Sequence, residues 1–259
     1  MDARSTYTLT FCERAENHVG MQALGDMAPD GFSMDELRRM HAEWATRGLA
    51  TEWVDLGGPA GEHAAVLVVR GGVAALLDDA RGADALAAEH AALRPIWDVK
   101  ALMRNRVVNK NARHNLCFAD AAQPPDYAQG RGTVVDFATV EHTRRVRERL
   151  PALFGEKARG LLMEANYYYD VGRTYIGFHG DGERRRVIGV RLGQTLPLWF
   201  QWFHRSEKVG AMVRIDLHHG DVYVMSQKAV GTDWRRPSLH TLRHAAGFES
   251  TLVKAKAWK

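Results

Sequence analysis

His179 and Asp181, in the run Ile176-Gly177-Phe178-His179-Gly180-Asp181, are the side chains best spaced for chemistry. On a strand, residues i and i+2 face the same side, so this imidazole and this carboxylate can converge on one point. Such a pair is two thirds of the two-His, one-carboxylate facial triad that holds non-haem Fe(II) and leaves coordination positions open. Alone, the tripeptide also describes an exposed turn with a capping Asp, so its surroundings decide. The other histidines (His18, His41, His63, His90, His114, His142 and His204) have no partner at ligand spacing and are expected on the surface or at caps. The sequence has no Gly-x-Ser-x-Gly elbow, no His-Glu-x-x-His helix and no Walker loop, and hydrolase and kinase readings lack support.

The elements that must position this pair occupy the second part of the chain. Strand-like runs fall at 116–119, 132–137, 161–169, 187–192, 196–203, 213–217, 221–225 and 250–258, with turn signals such as Asp170-Val171-Gly172 and His219-Gly220 between them. Many short strands with regular turns predict a jelly-roll type of sandwich or barrel, interrupted by one helix over 140–153. The first part alternates strand and helix: strands at 6–12 and 64–69, a capped helix at 33–48, and an alanine-rich helix over 72–93. The expected class is α+β, with a small α/β region at 1–98 and a catalytic domain at 99–259.

Composition narrows the setting. The 259 residues are 46% hydrophobic and 25% charged, the balance of an ordinary globular protein. No apolar run reaches membrane-spanning length, and no secretory h-region opens the chain. Two cysteines, Cys12 and Cys117, exclude a disulfide scaffold and suit a reducing cytoplasm. Thirty-five basic against 31 acidic residues leave a net charge of +4, which permits a nucleic-acid partner without demanding one. Lys100, Arg104, Arg106, Lys110 and Arg113 form an acid-free basic cluster, and the triplet Arg184-Arg185-Arg186 is a second; each fits a solvated face.

Around the His-x-Asp pair, Asn166-Tyr167-Tyr168-Tyr169-Asp170-Val171-Gly172 stands upstream and Val187-Ile188-Gly189-Val190-Arg191-Leu192-Gly193 downstream. His219-Gly220-Asp221-Val222-Tyr223-Val224-Met225-Ser226 and Trp234 follow. In this order the four motifs resemble the AlkB-like Fe(II)/2-oxoglutarate-dependent dioxygenases over roughly residues 105–259. The resemblance implies a double-stranded β-helix (jelly-roll, cupin-like) core and an oxidoreductase using Fe(II), 2-oxoglutarate and O2. It implies that His179, Asp181 and a later histidine hold the metal. His244, followed by small apolar residues, resembles that distal ligand; His240 is the alternative, and His218 and His219 are turn residues. An apparent insertion between Trp234 and the histidine departs from the family pattern.

The resemblance further implies that Asn166 and Tyr168, on one strand face, hydrogen-bond the co-substrate carboxylates. A cation one strand beyond the distal histidine would meet the far carboxylate of 2-oxoglutarate. The family's Asn-x-Thr-x-Arg context is absent, and Lys254 or Lys256 on the strand expected at 250–258 takes that place. A basic, aromatic-bearing lid at about 104–130 would neutralise phosphates through Arg104, Arg106, Lys110 and Arg113 while Phe118 or Tyr127 stacks on a flipped base. The implied function is hydroxylation or oxidative demethylation of a nucleobase in DNA or RNA. The alternative is a hydroxylase of a small molecule or a protein side chain.

Overall fold

The computed structural model describes the backbone of residues 4–256 and the side chains of residues 4–252. The chain opens with β1 (Thr6–Cys12) and a minor pair, β2 (Ala15–Glu16) and β3 (Ala23–Leu24). Next come α1 (Met34–Thr46), β4 (Thr51–Asp55), β5 (Ala65–Val69), α2 (Gly72–Leu77) and α3 (Gly82–Ala92). The hairpin β6 (Lys100–Met103) and β7 (Arg106–Asn109) leads to β8 (His114–Ala119), β9 (Val134–Asp136) and α4 (Glu141–Phe154). Then follow β10 (Leu162–Tyr168), β11 (Ile176–His179), β12 (Ile188–Gly193), β13 (Leu196–His204) and β14 (Glu207–Leu217). The chain ends with β15 (Val222–Met225), α5 (Gln227–Val230), β16 (Thr241–Ala246) and α6 (Glu249–Lys256).

These elements make an α+β fold dominated by two antiparallel sheets. The larger sheet runs β4-β5-β15-β12-β1-β10-β8-β9, with only the β8–β9 pair parallel; the smaller runs β11-β16-β13-β14. Strand alternation divides the larger sheet's side chains between its faces. Tyr7, Leu9 and Phe11 of β1, Met163, Ala165 and Tyr167 of β10, and Ile188, Val190 and Leu192 of β12 belong to the core shared with the helices. On the other face, Tyr223 and Met225 pack with Leu198, Phe200 and Leu242 of the smaller sheet. Thr8, Thr10, Glu164, Asn166, Tyr168 and Arg191 alternate with the helix-side residues and line a polar cavity.

The expected division at residue 98 is not a structural boundary, because β1, β4 and β5 pair into the same sheet as β8, β10, β12 and β15. β1 lies between β12 and β10, with Thr8 opposite both Arg191 and Asn166. The alanine-rich helix is two helices, broken where Asp78 adopts the left-handed conformation at φ 53°. The Ser33–Glu36 capping box forms as its sequence requires.

Over the described residues of the strand expected at 250–258, up to 256, the chain is helical and forms α6. Its first turn closes when the Thr251 and Leu252 amides donate to the Phe248 carbonyl, and Leu252 packs with Trp199 and Ala245. With β1 already paired to β12 and β10, those strands offer a C-terminal strand no free edge. Lys254 and Lys256 therefore sit on a helix, and their side chains lie outside the described residues.

His90 is another departure: it is fully buried rather than a surface or capping residue, with Nε2 3.0 Å from Thr143 Oγ1. Burial pushes its imidazole down to about 3. Below the ordinary value of about 6.5, an unfolded chain takes up a proton that folded His90 refuses. This contribution to stability is complete above pH 6.5 and is lost as pH falls toward 3. His90→Gln should lessen the loss of unfolding free energy between pH 7 and pH 5 by up to about 2 kcal/mol. Equilibrium denaturation at the two pH values measures it, and an unchanged difference would refute it.

Candidate metal centre

β11 and β16 are antiparallel neighbours with His179 directly opposite His244. Cross-strand pairing thus places the two imidazoles side by side, with ring centroids 4.5 Å apart. Asp181, two residues beyond His179, completes the group: its Oδ1 is 3.5 Å from His179 Nε2 and 3.6 Å from His244 Nε2. The ligand atoms of the three residues all lie within 4.8 Å of one another, and the group can hold a metal ion. His240 is not part of it; it stacks on His204, with centroids 4.5 Å apart.

Local structure fixes each ligand. The Asp181 amide donates to the Val230 carbonyl at 3.0 Å, tying the turn after β11 to α5. At Gly180 a Cβ would stand 2.2 Å from the Gly231 carbonyl oxygen and 2.7 Å from Trp234 Cβ, so the residue between the two ligands must lack a side chain. His179 Nδ1 lies 2.8 Å from the Gly177 carbonyl, which favours a proton on Nδ1 and leaves Nε2 free as a donor atom for a metal.

The electrostatics keep the donor set ready for a cation. Burial and the neighbouring His244 push the His179 imidazole down to about 3, so it is neutral at ordinary pH. Burial opposes the Asp181 charge, but the Arg184 guanidinium and the two imidazoles outweigh it and hold the carboxyl well below the usual carboxylate range. Two imidazole nitrogens and one carboxylate suit a divalent transition metal and leave coordination positions for a ligand.

Arg184 organises the acids around this centre. Only 4% exposed, it bonds Glu164 Oε2 at 2.6 Å and Glu183 Oε1 at 2.5 Å, and its Nε lies 3.8 Å from Asp181 Oδ2. This corrects the expectation of a solvated basic triplet. Arg185 and Arg186 are also engaged, their amides donating to Glu13 and their guanidinium groups to Pro29 and Asp30. The available signal was position: an arginine three residues beyond a buried carboxylate on a tight turn can fold back onto it.

Asn166 and Tyr168 line the same cavity as the triad, but the Asn166 amide is already engaged. Its Oδ1 accepts from Arg113 Nε at 2.6 Å and Asn115 Nδ2 at 2.7 Å, and its Nδ2 donates to Glu164. The lid is also altered. Lys110 turns inward, donating to Asn17 and Asn115, and burial lowers its ammonium to about 8. Phe118 is fully buried in β8 and is not free to stack on a base, while Tyr127 is half-buried with its hydroxyl donating to Asp98. Arg104 and Arg106, at the turn of the β6–β7 hairpin, are exposed.

An outer cleft opens above the triad, lined by His18, Arg113, Phe178, Trp234 and Arg235 together with Glu16 and Glu183. Among the described residues, no helix is long and apolar enough to cross a membrane.

No family model matches the chain. It is 44% identical over 255 residues to the "Uncharacterized protein R156" of Acanthamoeba polyphaga mimivirus, an alignment that covers 96% of this chain and 98% of that protein. At that identity over nearly the whole of both sequences, the chain belongs to the same protein family as this mimivirus protein.

Proposed function

We propose that the protein is an Fe(II)/2-oxoglutarate-dependent dioxygenase of AlkB-like type that oxidises a nucleobase. The observation that carries the reading is the His179–Asp181–His244 group on facing strands beside a polar cavity. The sheet orders support it: β11-β16-β13-β14 facing β15-β12-β1-β10 suits a double-stranded β-helix whose last strand is supplied by β1. His179, Asp181 and His244 would hold Fe(II), and the bound metal would supply O2 activation coupled to decarboxylation of the 2-oxo acid. In the balanced reaction, O2, 2-oxoglutarate and a substrate C–H give succinate, CO2 and a C–OH; on an N-methyl group the product then releases formaldehyde.

The chain's own residues would do the positioning. Asp181 and the two imidazoles would hold the metal, and Arg184 keeps Asp181 ionised. Phe178 and Trp234 line the cleft, the Arg235 guanidinium lies over the Trp234 ring at 5.1 Å, and exposed Arg104 and Arg106 extend the basic surface that a nucleic acid would meet. A second reading, a small molecule or protein side chain, is favoured by the carboxylate of Glu16 on the same rim.

Succinate release tests both. Fe(II)-loaded protein should convert 2-oxoglutarate to succinate faster with methylated oligonucleotides than without, and Arg104→Ala/Arg106→Ala/Arg235→Ala should weaken oligonucleotide binding and flatten its salt dependence. Stimulation by lysine- or arginine-containing peptides instead would support the second reading. No succinate with any substrate would refute the oxygenase.

A further inference from the structure

The cavity beneath the metal centre is lined by a buried guanidinium with unused hydrogen-bond donors. Arg191, on β12, is fully buried, and its Nε and Nη1 have no hydrogen-bond partner. Thr8, opposite it on β1, is also buried with Oγ1 unpartnered. Both line the cavity that contains His179, Asp181 and His244. The other buried arginine of that cavity, Arg184, is saturated by Glu164 and Glu183. A buried charge without a partner costs several kcal/mol, and a guanidinium is shaped for a carboxylate, which it can bind through two parallel N–H donors.

We propose that Arg191, with the Thr8 hydroxyl beside it, receives the far carboxylate of a 2-oxo dicarboxylic acid whose other end reaches the metal. This rests on the function proposed above and moves the anchoring cation from Lys254 or Lys256 to the middle of the larger sheet. Tyr168 and Tyr223 line the same cavity, and burial raises both phenols, Tyr223 to about 12, so they stay neutral and add no competing negative charge. The orphaned donors thus face a cavity whose other lining arginine, Arg184, is already paired with Glu164 and Glu183.

The test is calorimetric binding of 2-oxoglutarate and of 2-oxobutyrate, which lacks the far carboxylate, to the full-length protein loaded with Mn(II). The unsubstituted protein should prefer 2-oxoglutarate by on the order of 100-fold, as expected for a buried charge pair. Arg191→Met should abolish that preference, leave Mn(II) affinity unchanged, and melt no lower than the unsubstituted protein without ligand, because an unpaired buried charge has been removed. Arg191→Lys and Thr8→Val should each keep a reduced preference, and they carry the test if Arg191→Met does not fold. Lys254→Ala/Lys256→Ala should keep the full preference. If Arg191→Met or, failing it, the two milder variants retain the full preference, or if the lysine double variant loses it, the assignment to Arg191 is overturned while the metal centre stands. If the unsubstituted protein binds Mn(II) but neither acid, the proposed function fails and the assignment with it.

Discussion

Asp181→Ala is expected to lower Fe(II) or Mn(II) affinity by well over 100-fold. Removing a group that merely orients a ligand costs about 10–100-fold, and Asp181 is itself a ligand in this arrangement, within 3.6 Å of both imidazoles. The fold should survive, because Arg184 keeps Glu164 and Glu183 as partners and Gly180 still fits against Gly231. His244→Ala should behave like Asp181→Ala. His240→Ala should retain the metal, since its ring lies against His204 instead. Equilibrium dialysis with Mn(II) separates the two histidines, and metal loss in His240→Ala with retention in His244→Ala would contradict the centre described.

Arg184→Met should be the most damaging single change to stability near the site. The guanidinium is almost wholly buried and is paired with Glu164 and Glu183, close to Asp181 and 3.4 Å from Cys12 Sγ. Removing it leaves several acidic groups without their common cation, and breaking such a buried pair costs about 3–5 kcal/mol. Metal affinity should also fall, because Asp181 loses the charge that holds it ionised. Arg184→Met/Glu164→Gln should recover part of the stability by removing one uncompensated carboxylate, although Glu164 also accepts from Asn166. Denaturant unfolding reads both variants; a loss below about 1 kcal/mol in Arg184→Met would show that the cluster does not depend on its cation.

The sequence made most of the second-half strands legible because period-two alternation survives wherever a sheet separates two environments. In β10, Met163, Ala165 and Tyr167 face the helices while Glu164, Asn166 and Tyr168 face the cavity, and the shared side of Asn166 and Tyr168 follows from spacing alone. Arg191 carries the same signal, an arginine between Val190 and Leu192 in a strand apolar on its other face, yet only tertiary structure shows that its Nε and Nη1 find no hydrogen-bond partner.

The C-terminal strand was not legible for a topological reason. The place beside β12 is taken by β1, whose Thr6 hydroxyl donates to the Leu192 carbonyl across 186 residues of sequence, and no local pattern in 250–258 reports that the slot is filled. The same long-range pairing makes residues 1–98 part of the sheet that carries the site rather than an appended region. The inward turn of Lys110 was hidden too, since a lysine in a basic run looks solvated until Asn17 and Asn115 are brought to it.

The most direct measurement is absorption spectroscopy of the metal-free protein titrated under anaerobic conditions, first with Fe(II) and then with 2-oxoglutarate. One equivalent of Fe(II) should bind, and 2-oxoglutarate should then produce a visible charge-transfer band that is absent from Asp181→Ala and His244→Ala. Failure of the unsubstituted protein to bind Fe(II), or binding without any new band on adding the acid, would contradict a metal-dependent 2-oxo acid oxygenase.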